Sequence, residues 1–319
     1  MIVEQKFGNG FTWINIEAEQ LRTETSEIQA KYLDSEIITY ALDDYERAFM
    51  ECSHIKGKEV LTIIFNTIDL KQKESYYETV PMTFCLSHDR LITVTRSRNS
   101  YMLELLQKYL DRNPDVSPKK FLFAALTLIT KQYFNVVSKI DREKDILNRQ
   151  LREQTTNKRL LAMSDLETGS VYLLTAANQN ALVLEQLDVH PSQRFNSEVE
   201  KEQLSDALIE AHQLVSMTQL NSQVLSQLSS TFNNVLNNNL NENLTGLNII
   251  SINLAIIAAI TGFFGMNIPL PLTESRSSWL IVIATLVLLW VIIAQILKRV
   301  FNLRKYKYSV RKHRIFLFT

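Results

Sequence analysis

Asn241, Asn248, Ser251, Ala255, Ala258, Gly262 and Gly265 follow one another at steps of 7, 3, 4, 3, 4 and 3 residues. Such spacing puts them on one face of an α-helix, with amides and a hydroxyl at one end and small side chains at the other. Neutral polar groups hold water without capturing a bare ion, so this face suits a hydrated pore. Small residues serve equally for close packing of two helices. An asparagine in an apolar medium needs a partner or water, which weighs toward the pore at Asn241 and Asn248. Asn241 is also one of a dense group, Asn233, Asn234, Asn237, Asn238, Asn239, Asn241 and Asn243, that ends just before Leu244. They make either a solvated helix face or a neutral vestibule at the inner mouth.

The elements that would position this face are two long runs without charge, 24 residues from Leu244 to Asn267 and 19 from Trp279 to Leu297. Each is long enough to cross a hydrocarbon core of ~30 Å as a helix. A buried soluble hairpin is the competing reading. After the second run, Lys298, Arg299, Arg304, Lys305, Lys307, Arg311, Lys312 and Arg314 stand with no acidic residue among them. The chain is neutral, 34 basic against 34 acidic residues in 319, only because this tail cancels an acidic body. By the positive-inside rule the tail is cytoplasmic, and two spans put the N-terminal part there too. Thr285 and Gln295 are the only notable polar residues of the second run, which therefore reads as the outer, lipid-facing helix.

The cytoplasmic part divides at its prolines. Residues 1–115 mix strand-like segments, Thr12 to Ile16, Val60 to Ile68, Val80 to Leu86 and Leu91 to Thr95, with a helix-like one from Ile37 to Ala48, and read as an α/β domain. Ser117-Pro118 then opens a helix, a capping residue before proline at the first helical position. Leu122, Leu126, Ile129, Tyr133, Val136, Ile140 and Leu147 form the seam of an antiparallel pair with a polar tip at Gln154 to Lys158, and His190-Pro191 ends it. Ser197 and Glu200 make a capping box for a third helix that meets no proline until Pro269. Its seam, Leu204, Ala211, Leu214, Leu225, Leu228, Phe232 and Val235, predicts self-association of a stalk continuing into the first span.

Other chemistry finds no footing. Neutral net charge argues against a nucleic-acid binder. Cys52 and Cys85 are too few for a disulfide framework, and the start lacks the regions of a cleaved signal. His54, His88, His190, His212 and His313 have no zinc spacing, and Gly8-Asn9-Gly10 is a turn rather than a phosphate loop. No organic cofactor and no enzymatic activity are expected.

At the end of the first span stands Gly265-Met266-Asn267, followed by a short outer loop, a final span and a basic end. In that topology the sequence resembles the CorA-type magnesium channels and transporters over essentially its whole length. It departs from the family pattern at Phe264, where tyrosine is usual, at Ile256, near the place of a usual proline, and in an outer loop whose only acidic residue is Glu274. These departures bear on metal preference and conductance more than on fold. The resemblance implies a funnel-shaped homopentamer: an α/β cytoplasmic domain (1–115), a helical hairpin and stalk (116–243), a pore-lining transmembrane helix (244–267), an outer loop (268–278), a second transmembrane helix (279–297) and a cytoplasmic tail (298–319). It further implies that Leu247 joins the pore lining, the best candidate for an apolar constriction, and that regulatory Mg²⁺ binds at Asp206 of the stalk and Asp44 of the segment Leu42-Asp43-Asp44.

The ion chemistry can be reasoned separately. Mg²⁺ prefers octahedral oxygen ligation and gives up water reluctantly, so a site recognises it most cheaply as the hydrated ion. The Asn267 amide oxygen with the carbonyls of Gly265 and Met266, repeated around a ring, would face those waters. Met266 itself is too soft for a hard cation and is expected to pack. Glu274 would draw cations to the outer mouth. No carboxylate lies between Leu244 and Asn267, which disfavours dehydrating capture inside the pore. Two alternatives stay open: a relative preferring Co²⁺, Ni²⁺ or Zn²⁺, and a two-span coiled-coil receptor, whose outer part would be only the 11 residues from Ile268 to Ser278.

Overall fold

Runs of β-branched and aromatic residues in the first hundred positions build one six-stranded sheet, and alternate residues along its strands feed two different cores. The computed structural model describes residues 2–7, 10–55, 58–71, 76–191, 197–266 and 279–295, apart from 282, 285, 286 and 294. The strands are β1 (Val3–Phe7), β2 (Phe11–Glu17), β3 (Phe49–Ile55), β4 (Lys58–Ile68), β5 (Thr79–Leu86) and β6 (Arg90–Thr95), in the order β1-β2-β6-β5-β4-β3. Only β2 and β6 pair in parallel. The Ser87–Arg90 turn closes the β5–β6 hairpin through Ser87 N–H donating to the Arg90 carbonyl at 2.9 Å.

Because side chains alternate across a strand, Trp13, Phe84 and Leu91 point into one core while their neighbours Ile14, Cys85 and Ile92 point into the other. The second core is closed by α1 (Ala18–Thr23), α2 (Thr25–Lys31) and α3 (Ser35–Leu42). Burial there pushes the Cys85 thiol up to about 12, and both cysteines are free. The first core is closed by α4 (Tyr101–Arg112), α5 (Pro118–Glu153) and α6 (Asn157–Val189). A 3₁₀ turn, Ser97–Asn99, leads from β6 toward α4.

The predicted helix from Ile37 to Ala48 is corrected: α3 stops at Leu42, and the chain enters strand β3 at Phe49. The stop has a physical cause in Arg96, whose buried guanidinium donates to the carbonyls of Ala41 at 2.9 Å and Asp43 at 2.7 Å and so satisfies the helix end. The antiparallel pair α5–α6 turns at residues 154–156. Ser117 caps α5, Thr156 caps α6, and Arg159 donates to the carbonyls of Gln150 and Gln154, both at 2.7 Å, closing the end of α5.

Asn180 of α6 ties the pair to the sheet. Its carboxamide accepts from the Asn66 backbone N–H and donates to the Asn66 carbonyl, both at 2.8 Å, in the manner of a neighbouring strand, and the Tyr133 hydroxyl donates to the same carbonyl at 2.9 Å.

The last long helix, α7 (Glu198–Phe264), begins with the expected capping box: Ser197 N–H donates to Glu200 Oε2 at 2.9 Å, and Glu200 N–H to Ser197 Oγ at 3.3 Å. Its seam is the second correction. Leu204, Ala211, Leu214, Leu225 and Phe232 are buried in the same apolar cluster as α5 and α6, so the chain's own hairpin covers them and they carry no case for self-association. The stripe also runs through Ala207, Thr218 and Asn221, and it is spent by Val235, which is 38% exposed. The chain divides into two units, Met1–Asn233 and Asn234–Thr319, which α7 enters in turn.

Candidate functional site

Two described helices, α5 and α7, are long and apolar enough to cross a membrane, and burial separates them. Most of the apolar stretch of α5 lies inside the core, whereas none of that of α7 is buried. In α7 from Asn241 to Phe263, the half-buried residues are Thr245, Gly246, Ile249, Asn253, Ile256 and Ile260. At ~100° per residue these fall in one sector of the helix. Asn241, Leu247, Asn248, Ser251, Ala255, Ala258, Gly262 and Gly265 fall in the opposite sector, and all eight are exposed. The flanks carry large apolar side chains in the open, among them Leu254 at 62% and Ile250 at 58%. One helix thus presents a covered side, an opposite side on which amides, a hydroxyl and small residues stand with Leu244 and Leu247, and apolar flanks.

The threonine hydroxyls in this segment are satisfied locally. Thr245 donates to the Asn241 carbonyl at 2.6 Å and Thr261 to that of Ile257 at 2.9 Å, so neither needs a partner in an apolar medium. Asn253 lies on the covered side. Its Nδ2 donates to the Ile249 carbonyl at 2.8 Å, leaving Oδ1 enclosed without a donor among the described residues.

The helix tightens as it ends. Gly265 N–H is shared between the carbonyls of Thr261 at 3.0 Å and Gly262 at 3.2 Å, and Met266 N–H donates to Phe263 at 3.3 Å. A Cβ on Gly265 would stand 3.3 Å from the Thr261 oxygen, so glycine eases that turn. A Cβ on Gly262 would meet nothing within 4 Å, so no contact among the described residues of the chain requires glycine there. Met266 is 52% exposed, while Asn267 and Glu274 lie outside the described residues, as do Thr285 and the basic tail.

The expected regulatory carboxylates, Asp44 and Asp206, would meet only between two copies, and within one chain each has its own surroundings. Asp206 is exposed on α7. Asp44 follows the end of α3, where its Oδ1 accepts from Arg96 Nε at 2.9 Å and its Oδ2 lies 3.6 Å from Arg22 Nη2. Among the described residues no group of three or more His, Cys, Asp or Glu is placed to hold a metal ion. Neither arginine was singled out by sequence: each is one basic residue in a polar stretch, and only the folded contact gives it meaning.

The family model described as CorA-like Mg²⁺ transporter protein matches residues 8–299. The chain belongs to that family. CorA-like proteins are integral membrane transporters rather than enzymes, and membership makes this chain a membrane protein of divalent-cation transport. No curated protein matches the sequence. Among solved structures, the complete CorA magnesium transporter from Methanocaldococcus jannaschii is similar with a TM-score of 0.74 at 19% identity, over 93% of this chain and 96% of that one. The full-length CmaX protein gives 0.67 at 14% identity, over 90% and 88%. The cytoplasmic domain of ZntB from Vibrio parahaemolyticus RIMD 2210633 gives 0.54 at 11% identity, over 76% and 98%. At these identities the likenesses speak for the CorA fold, an α/β N-terminal part followed by long helices.

Proposed function

We propose that this CorA-family chain is a Mg²⁺ uptake channel that recognises the hydrated ion at an outer ring of Gly265, Met266 and Asn267. The observation that carries the reading is the division of α7 into a covered sector and an opposite, exposed sector whose residues beyond Leu244 and Leu247 are neutral polar or small. Such a helix is suited to stand with its covered side toward the second span and its small side toward an axis shared with other copies, a homopentamer in this reading. The path then passes Asn241 and Asn248 at the cytoplasmic end, Leu247 as the apolar constriction, Ser251, Ala255, Ala258 and Gly262, and the ring at the outer end. Both termini are cytoplasmic, and residues 244–267 and 279–297 span the bilayer around an outer loop in which Glu274 attracts cations.

Recognition through water explains the absence of carboxylates from the lining. Mg²⁺ pays heavily to lose its waters, whereas amide and carbonyl oxygens meet those waters by hydrogen bonding. A divalent ion gains roughly 4.6 kcal/mol per 100 mV on entering a negative interior, so no chemical fuel is required. Cytoplasmic Mg²⁺ closes the channel by bridging the carboxylates of Asp44 and Asp206 on adjacent copies. The carboxylate of Asp44 is half-exposed, which leaves it open to such an ion.

Flux into proteoliposomes of the purified protein tests the reading, with Mg²⁺, Co²⁺, Ni²⁺ and Zn²⁺ compared in parallel. Asn267→Ala should abolish selective Mg²⁺ flux. Undiminished flux in that variant would remove Asn267 from the filter, preference for another ion would assign the chain to that cargo, and no flux of any cation would favour a receptor.

A further inference from the structure

The C-terminal end of α3 gathers oxygen atoms. The carbonyls of Ala41, Leu42 and Asp43 and the carboxylate of Asp44 converge there, at the negative end of the helix, and two guanidinium groups answer them. Arg96 is 5% exposed and fully engaged: Nε donates to Asp44 Oδ1 at 2.9 Å, Nη1 to the Pro81 carbonyl at 2.7 Å, and Nη2 to Ala41 and Asp43. Arg22 is different. Its side chain is 56% exposed, and Nη2 stands between the Leu42 carbonyl at 3.5 Å and Asp44 Oδ2 at 3.6 Å. Both separations exceed the usual length of an N–H···O bond. Arg22 is therefore a cation resting loosely between two oxygens, while Arg96 is fixed in the fold.

We infer that Arg22 is a tethered competitor for the divalent ion at Asp44, setting the ion concentration at which the site responds. The inference rests on the regulatory reading of Asp44 proposed above. The donor set fits a hard cation: a carbonyl and a carboxylate oxygen suit Mg²⁺, and the Arg22 nitrogen already marks a position where positive charge is held between them. One carboxylate and one carbonyl are too few to strip the ion, so it arrives with its water. To reach Oδ2 it must displace Arg22 and need not disturb Arg96. An exposed pair of this kind is weak and screened by salt, which makes it displaceable at a moderate ion concentration. Arg22 also keeps Asp44 neutralised when the ion is absent, so the turn need not reorganise on release.

The test uses the full-length protein at constant ionic strength, titrated with MgCl₂ and read in two ways: protection from chymotrypsin in detergent and inhibition of flux in proteoliposomes. Arg22→Gln should lower the half-saturating Mg²⁺ concentration by up to about fivefold in both readouts, and the double variant R22Q/D44N should behave as D44N does. If D44N raises the half-point while R22Q leaves it unchanged, Arg22 does not compete and the inference is overturned with the regulatory reading intact. If D44N itself changes neither readout, Asp44 holds no regulatory ion and both fall. The exposure of Arg22 makes its replacement safe for folding, and an unchanged melting temperature of R22Q without Mg²⁺ is the check.

Discussion

Between Leu204 and Leu225 every third or fourth residue of α7 is buried, and Phe232 one heptad on; between Asn234 and Phe263 none is. The backbone is one continuous helix, but the residues that continue the buried spacing, Gly246, Ile249, Asn253, Ile256 and Ile260, are only half-buried, and the face opposite them carries Asn, Ser, Ala and Gly. The first segment is stabilised by apolar burial against α5 and α6. The second half-buries one side and exposes Leu247, Ile250, Leu254 and Phe263. A helix that buries one face fully at home and leaves large apolar side chains open further along takes further partners from outside the chain, here the bilayer and, in the proposed assembly, other copies.

The sharpest way to break that contrast is a matched pair of truncations. Leu225 is fully buried, and Leu225→Ala should destabilise the cytoplasmic unit by about 2–5 kcal/mol through lost burial and the cavity left behind. Leu247 is 60% exposed, and Leu247→Ala should leave the same unfolding transition within about 0.5 kcal/mol while altering flux. Denaturant unfolding of the full-length protein in detergent, followed beside proteoliposome flux, reads both. Equal destabilisation by the two would mean that the exposed segment is held by the chain itself.

Asparagine offers the same comparison with a smaller effect. Asn180 is 3% exposed and pairs both backbone groups of Asn66, whereas Asn237, in the asparagine-rich stretch of α7, is exposed. Asn180→Ala should cost about 1–3 kcal/mol, chiefly for the Asn66 N–H left buried without an acceptor, because its carbonyl keeps the Tyr133 donor. Asn237→Ala should change stability by less than about 0.5 kcal/mol. A large loss from Asn237→Ala would instead place that side chain in a structural contact.

What could be read in advance follows from how local the cause is. The β4, β5 and β6 strands and the α5–α6 pair were legible because their apolar residues recur at their own period, from Val60 to Ile68 and from Leu122 to Leu147. The Ser197–Glu200 box was legible because its two members are three residues apart. β1 and β3 were missed because they are edge strands, and sequences such as Val3–Phe7 and Phe49–Ile55 alternate too weakly to stand out. The end of α3 was placed six residues late because the group that stops it, Arg96, is more than fifty positions away. The seam of α7 was rightly seen as apolar and wrongly assigned a second copy as its cover, since spacing tells that a face is buried without telling against what. Asn267 and Glu274 lie outside the described residues, and their roles stay with the flux experiment.

The finest distinction concerns how α7 is anchored at its start. Glu200 serves two helices at once: its Oε2 accepts from Ser197 N–H, and its Oε1 accepts from the Ser117 hydroxyl at 2.5 Å, the residue that caps α5. Burial pushes the Glu200 carboxyl up, but the donors from Ser117 and Ser197 and the charge of Lys119 more than offset it and hold the group below its ordinary range. A carboxyl depressed in the folded state contributes stability above its unfolded value, near 4.5, and loses that contribution as pH falls through the lower folded value. Ser197→Ala removes the local cap and one of the donors that hold Glu200 down, and should cost about 1 kcal/mol at neutral pH, with a smaller pH dependence than Glu200→Gln because the Ser117 donor and the Ser197 N–H remain. Glu200→Gln should lower stability at neutral pH, and its difference from the parent should shrink as pH is taken below 4.5. Melting temperatures of the parent and both variants between neutral and acidic pH separate the two effects, and a pH-independent Glu200→Gln difference would show that the charge of Glu200 does not join the starts of α5 and α7.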